Sequence, residues 1–502
     1  MSLSDVDAAI VAVYLLAVLG FGLWVGRGQR NLNDYFLADR DLPWWAVLIS
    51  IVATETSTVT FLSIPGKAYS GGGLNTDGNL TFLQIAIGYM VGRVLVASLL
   101  LPAFYLGTKF TAYELLEKGV GRLTRQASSG VFIVTRTVAD GLRLLLTALV
   151  LHAAVGLNVP VCIAVMGVVT IIYTVAGGVR SVVWNDCIQF VVYILGAIIA
   201  AVILIYRIPG GLAELNAFAE QGNHLRFFDF DPSIFKPTIT FWSGLIGGAF
   251  LTIATHGADQ MMVQRYLAAR SLGEARVAVL ASGVVVFAQF ALFLLIGLGL
   301  ACFYNLYPPD QPFTRSDEVF ARFIVTELPM GIVGIVLAAV FSAAISTLSG
   351  SLNSSATALV GDFYTLIRTT ARDRELLWVG RVSTLLFGVL QMLVAIAAYY
   401  IALDQTIVDQ VLAIAGYTTS LILGLLALSL FQPFGPLSHR ARQTSALVGF
   451  AVGLTVITYV KFFTEISWPW YTLIGSSTTV FAAWIVAPLF KHLMASPTKD
   501  GN

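Results

Sequence analysis

Four groups of residues in this chain have the types and spacing to do chemistry. The stretch ISIVATETSTVTFLSIPG, residues 49–66, sets Thr54, Glu55, Thr56, Ser57, Thr58 and Thr60 in the middle of an otherwise apolar helix. A second stretch, GLIGGAFLTIATHGADQMMVQRY at 244–266, places Thr252, Thr255, His256, Asp259 and Gln260 among four glycines. Ser342, Ser346, Ser349 and Asn353 stand at i, i+4, i+7 and i+11, so they share one helix face, with Thr347 beside them. Arg136, Asp140 and Arg143 stand at i, i+4 and i+7 and line another face with two positive charges around one negative.

Hydroxyls and main-chain carbonyls suit a hard cation such as sodium, held weakly enough to be released. The same small residues also suit a seam where helices approach closely, and the serine face by itself leaves both readings open. Cys162, Cys187 and Cys302 have neither metal-ligand spacing nor an even-numbered framework and read as small core residues. There is no H-E-x-x-H and no G-x-x-x-x-G-K, so neither an enzyme nor a nucleotide site is expected. A net charge of +1 without long basic or acidic runs gives no reason to expect nucleic acid as a partner.

The elements that position these residues are membrane spans. Of 502 residues, 57% are hydrophobic and 11% charged, against about 25% charged in a soluble domain; mean hydropathy is +0.83. The reading is an all-α polytopic membrane protein. Thirteen apolar windows of about 20 residues fall near 5–26, 44–66, 81–106, 129–155, 159–177, 182–206, 237–262, 275–303, 328–364, 377–401, 406–431, 444–463 and 469–490. Lys and Arg concentrate in alternate connections, which places the N-terminus outside and the C-terminus in the cytoplasm, in the plasma (inner) membrane. The first window carries Asp5 and Asp7 where a signal peptide carries lysines, and reads as a retained helix.

A span can break only where its freed backbone faces protein, water or an ion. The second and seventh spans carry such breaks, with Pro65-Gly66 expected to end the second. Their five-span offset predicts two repeats of opposite orientation with a binding site between the broken helices at mid-membrane. One transporter domain, 1–502, then divides into an extra helix at 5–26, a first repeat at 44–206, a second at 237–463 with a loose end, and an extra helix at 469–490. Residues 53–60 line the expected site.

Together, ATETSTVTFLSIPG in the second span, GGVRSVVWNDCIQ at 177–189, ADQMMVQRYLAARS at 258–271 and AAISTLSGSLNSSATALVGDFY at 343–364 resemble the solute:sodium symporter family over nearly the whole chain. The resemblance implies a leucine-transporter-like inverted repeat. It also implies a sodium site of the carbonyls of Ala53, Thr56 and Ala343 with the hydroxyls of Ser346 and Thr347. Some members bind a further sodium, for which Asp186 and Ser349 match while Gly350 supplies no hydroxyl. Asp186 otherwise reads as a solvated residue at a helix end.

For the solute the candidates are Glu55, Thr60, Gln84, Thr252, Thr255, His256, Arg136 and Asp140. Glu55 stands where the proline-transporting branch has an aspartate, and the aromatic and amide residues of sugar carriers are absent from the seventh span. Arg136 or Arg143 binds a solute carboxylate, or the two neutralise Asp140 and Glu55; both readings stand. Gln84 is a solute partner or helix glue, and His256 a titrating gate or a hydrogen-bonding lining residue. The implied function is a sodium-coupled secondary symporter that imports a small polar organic solute by alternating access. The solute would be an amino acid, carboxylate or sugar-like molecule, sodium the only cofactor, and the bilayer the surroundings. The alternative is a transporter-fold membrane sensor signalling through a partner protein.

Overall fold

The computed structural model describes residues 4–27, 31–69, 78–107, 110–236, 238–401, 407–433 and 437–493. Residues 237 and 406, where two of the expected segments begin, lie outside the described residues. Among the described residues the regular elements are helices, joined by a single bridge between Leu42 and Ala269. In chain order the helices that matter here are α1 (Asp5–Val25), α2 (Trp44–Glu55), α3 (Thr58–Ala68), α4 (Thr81–Leu106), α5 (Arg122–Val155), α6 (Val159–Arg207), α7 (Gly248–Gly257), α8 (Gln260–Leu267), α9 (Leu272–Leu306), α10 (Ile332–Leu359), α11 (Asp373–Ile401), α12 (Ile407–Phe431), α13 (His439–Phe463) and α14 (Tyr471–Leu493).

Ten helices among the described residues are long and apolar enough to cross a bilayer, or eleven with α2 and α3 counted as one span bent by 61°. Thirteen windows were expected, and the difference has two sources. α6 runs through two of the windows for 49 residues, with only Gly178 (φ 54°, ψ −160°) departing from helical geometry. The seventh window is divided into a π-helical turn at Ser243–Gly247 and the short helices α7 and α8. Glycine permits that backbone at 178, where an L side chain would be strained.

The second span breaks at Thr56 (ψ 92°) and Ser57 (ψ 176°), both extended. Threonine and serine side chains can bond nearby backbone groups and so compete with the helical ladder; Thr56 does so at the break, its hydroxyl donating to Val52 O at 2.8 Å. Pro65-Gly66 does not end this span, contrary to expectation; the helix continues to Ala68 with Pro65 inside it. Packing overrides the proline here: a Cβ on Gly297 of α9 would overlap the Pro65 carbonyl, so the missing side chain lets α9 lie directly against it.

α10 is buried on every face from Val336 to Ala358. Its alanines, serines and glycines let it occupy the centre of the bundle against α1, α5, α6 and α11. The connections gather at two ends. At one, Leu42 N–H donates to Ala268 O at 3.1 Å, Arg270 N–H to Leu42 O at 3.3 Å, and Glu274 caps Trp44 N–H at 2.9 Å. At the other, Leu80 N–H donates to Arg226 O at 3.0 Å and Ser467 N–H to Ile234 O at 2.9 Å. These ties hold the inner α2–α3 and α7–α8 breaks between two fixed ends.

Candidate functional site

The last bond across the α2 terminus runs from Thr56 N–H to Val52 O at 2.9 Å. Beyond it the helical ladder stops, which frees the carbonyls of Ala53, Thr54 and Glu55. α10 answers with hydroxyls. Thr347 Oγ1 donates to Thr54 O at 3.0 Å and also reaches Ala343 O at 3.3 Å. Ser346, one residue earlier and fully buried, donates to Asp186 Oδ1 at 2.6 Å and keeps its lone pairs. The Thr56 side chain is fixed from two sides: it donates to Val52 O at 2.8 Å and accepts from Gln289 Nε2 of α9 at 2.5 Å. Tyr193 in turn donates to Gln289 Oε1 at 3.0 Å. Carbonyls of a broken helix and adjacent hydroxyls on a straight one thus converge between α2 and α10.

Asp186 on α6 is fully buried rather than solvated at a helix end. Its Oδ2 accepts from the Ser50 hydroxyl and lies 3.3 Å from Arg265 Nη2. Arg265 on α8 also donates from Nε to Ser50 Oγ at 2.9 Å and from Nη1 to Met261 O at 2.8 Å. Ser349 Oγ turns back to its own helix, donating to Ser346 O at 3.1 Å.

On the other side of the α2–α3 break lies a cavity of about 1140 Å³, its open mouth included. Glu55, Ser57 and Thr60 line it from the second span, Arg136 and Arg143 from α5, and Thr255, His256 and Asp259 from the seventh. Phe82, Tyr89, Phe132 and Phe290 give it an aromatic wall. The second break lies at Ala258–Asp259, where Asp259 is extended (φ −94°, ψ 118°) and its carboxylate caps α8 through Met261 N–H at 2.8 Å.

The cavity charges are balanced. Arg93, fully buried on α4, pairs with Glu55 and donates to Ser282 Oγ at 3.0 Å. Arg136 pairs with Asp259 and stands 3.8 Å from Asp140, while Arg143 pairs with Asp140. Three guanidinium groups face three carboxylates in a region where an unpaired charge is costly. Arg143 keeps a buried Nε without a hydrogen-bond partner. His256 Nε2 lies 3.7 Å from Glu55 Oε2, and its Nδ1 2.5 Å from the Tyr266 hydroxyl.

Of the expected solute residues, Glu55, Thr60, Thr255, His256 and Arg136 meet in the cavity. Asp140 stands behind it as the arginines' counterion. Thr252 is 1% exposed and packs at the α4–α7 contact, where a Cβ on Gly92 would touch it. Gln84 is fully buried away from the cavity: Nε2 donates to Thr81 O and Ile239 O, both at 3.0 Å, and Oε1 accepts from Asp229 N–H at 3.1 Å. It is a strut for the connection before the seventh span. Sequence reasoning did not assign Arg93, Arg265, Asp259 or Gln289. An arginine placed inside an apolar window is the signal that could have found Arg93; Arg265 falls between the seventh and eighth windows and carries no such signal.

The model of the sodium:solute symporter family matches residues 35–453. The sodium/sialic acid symporter NanT of Aliivibrio fischeri is 27% identical over 97% of this chain and 94% of its own length. The sodium/sialic acid symporter SiaT of Proteus mirabilis is 29% identical over 97% of this chain and 95% of its own. A solved sodium-coupled sialic acid symporter, in a substrate-bound outward-open state, superposes with a TM-score of 0.84 at 28% identity, covering 97% of this chain and 98% of that one. The fold is therefore that of the leucine-transporter-like carriers, with broken second and seventh spans, and these relatives are transporters rather than enzymes. The chain is a multi-pass membrane protein of the sodium:solute symporter family and couples transport to sodium.

Proposed function

We propose that this symporter carries a small organic anion bearing a carboxylate, of the acidic-sugar class to which sialic acid belongs. The observation that carries the reading is Arg143: it borders the cavity, has one carboxylate partner, and keeps an unpartnered buried Nε. A guanidinium in that state suits a second carboxylate. Arg136, held by Asp259 and Asp140 together, is the less available of the two. The balance of three arginines against three carboxylates gives a further reason. One sodium and one anion entering together leave the balance unchanged, whereas either alone disturbs it. Glu55, Thr60, Thr255 and His256 supply polar contacts, and the aromatic wall covers the rest of the solute.

Sodium is taken by Ala53, Thr56, Ala343, Ser346 and Thr347, with the Thr54 carbonyl beside them. Its binding orders the break, and the break is the floor of the cavity. Residues 44–206 and the segment starting at 237 and ending by 463 act as the two inverted repeats, which rock to expose the site alternately. The membrane is the plasma membrane, with the N-terminus outside. Uptake of sialic acid into proteoliposomes, with an inward sodium gradient and with choline in its place, tests the reading. Sodium-dependent accumulation that plain sugars do not inhibit is the expected result. No accumulation of sialic acid or of other small carboxylates would reject it.

A further inference from the structure

Among the described residues, Asp186 is the fully buried carboxylate that touches the proposed sodium cage without belonging to it. Both of its oxygens are taken: Oδ1 by Ser346 at 2.6 Å, Oδ2 by the Ser50 hydroxyl and by Arg265 Nη2 at 3.3 Å. Arg265 is anchored in its turn by Ser50 and by Met261 O, so its guanidinium is a fixed cation and not a passing one. Gly350 makes room for it, since a Cβ there would overlap the guanidinium. The position next to Ser349 therefore presents a cation to Asp186 where a side-chain oxygen would otherwise stand. Ser349 itself has its hydroxyl turned to Ser346 O.

From this geometry we infer that Arg265 is the resident counterion of Asp186, that the pair positions Ser346 for sodium, and that the chain couples a single sodium ion per cycle. The inference rests on the cage reading above. A hydroxyl that ligates a cation must point its proton away from the ion. Asp186 accepts that proton from Ser346, and the negative charge strengthens the bond and fixes the hydroxyl's rotation. Arg265 holds the buried carboxylate in place and aimed, as outer partners do around bound metals. A second sodium at Asp186 would crowd two cations onto one buried carboxylate, with the oxygens near it already engaged.

The test is equilibrium binding of radiolabelled sodium to the purified full-length chain. One ion per chain with a Hill coefficient of one is expected. The paired variant Asp186→Asn with Arg265→Gln removes both charges together and leaves none unpaired. It should still bind one ion, with affinity about 10- to 100-fold weaker and an elution profile on gel filtration like that of the parent. Two ions per parent chain would overturn the single-sodium inference and leave the cage reading intact. Undiminished affinity in the paired variant would overturn the positioning role. No sodium binding by the parent chain would reject the cage reading itself, and this inference with it.

Discussion

The Thr347 hydroxyl of α10 lies 3.0 Å from the carbonyl oxygen of Thr54, in the last turn of α2. This bond registers the broken span against the central helix at the point where the main chain leaves helical geometry. Anything that pulls on α10 at this level therefore moves the floor of the cavity, formed by Thr54, Glu55 and Ser57. With sodium held as proposed, coupling needs no long relay: the proposed cage and the cavity are two sides of the same break.

The two cavity arginines should separate in their effects. Arg143→Gln removes a donor from the cavity wall and should weaken solute affinity about 10- to 100-fold, the worth of a charge-assisted hydrogen bond, with sodium binding kept. Arg136→Gln strips Asp259 and Asp140 of their shared cation and should instead cost about 3–5 kcal/mol of stability. Solute titration and thermal unfolding of both variants check this; equal loss of solute affinity in the two would contradict it.

Glu55 and Arg93 should behave as one unit. Either Glu55→Gln or Arg93→Gln leaves a buried charge without its partner and should destabilise by about 3–5 kcal/mol. The double variant should be less destabilised than the sum of the two, because neither charge is stranded. A double-mutant cycle measured by thermal or denaturant unfolding reads the coupling directly.

Gln84→Ala should lower stability by about 1–3 kcal/mol while leaving the KM for solute unchanged. Its three bonds fasten Thr81, Asp229 and Ile239 to one another and none reaches the cavity. Paired measurements of KM and melting temperature distinguish this strut from a binding residue.

The connection before the seventh span should loosen in acid. Burial works to raise the Asp229 carboxyl, but the hydrogen bond from Lys236 at 2.6 Å, the Asp231 amide and the charges of Lys236 and Arg226 outweigh it and hold it below the usual carboxylate range. A depressed carboxyl stabilises the fold above its unfolded value, about pH 4, and loses that contribution as pH falls through the folded value. Protease cleavage within 207–236 should therefore rise below about pH 4, and Lys236→Met should bring that sensitivity to neutral pH.

With one sodium and one solute carboxylate, loading moves no net charge. An inside-negative potential of 100 mV should then leave uptake unchanged, where transfer of one net positive charge would gain about 2.3 kcal/mol. Valinomycin-imposed potentials across proteoliposomes measure the difference.

What was readable beforehand follows the range of the interactions concerned. The oxygen-rich run around Glu55 located the break in the second span, because threonine and serine compete with their own backbone locally. The shared face of Arg136, Asp140 and Arg143 followed from helical spacing. Asp259, the stronger partner of Arg136, comes from 123 residues away and left no periodic trace. Gln84 stayed open between solute partner and helix glue because the Asp229 and Ile239 groups it ties lie on a distant, irregular connection. Arg265 stood inside a quoted motif, yet its role depends on Gly350 and Ser50 of two other helices. Pro65 was misread as a terminator because its tolerance rests on Gly297 of α9.

The most direct measurement is the sodium dependence of solute binding in the variant carrying Ser346→Ala and Thr347→Ala. Both hydroxyls leave the cage, while the cavity arginines and aromatic wall are untouched. The account predicts that half-saturating sodium rises at least about tenfold and that solute affinity in saturating sodium recovers toward that of the parent. A parent-like sodium dependence in that variant would contradict it.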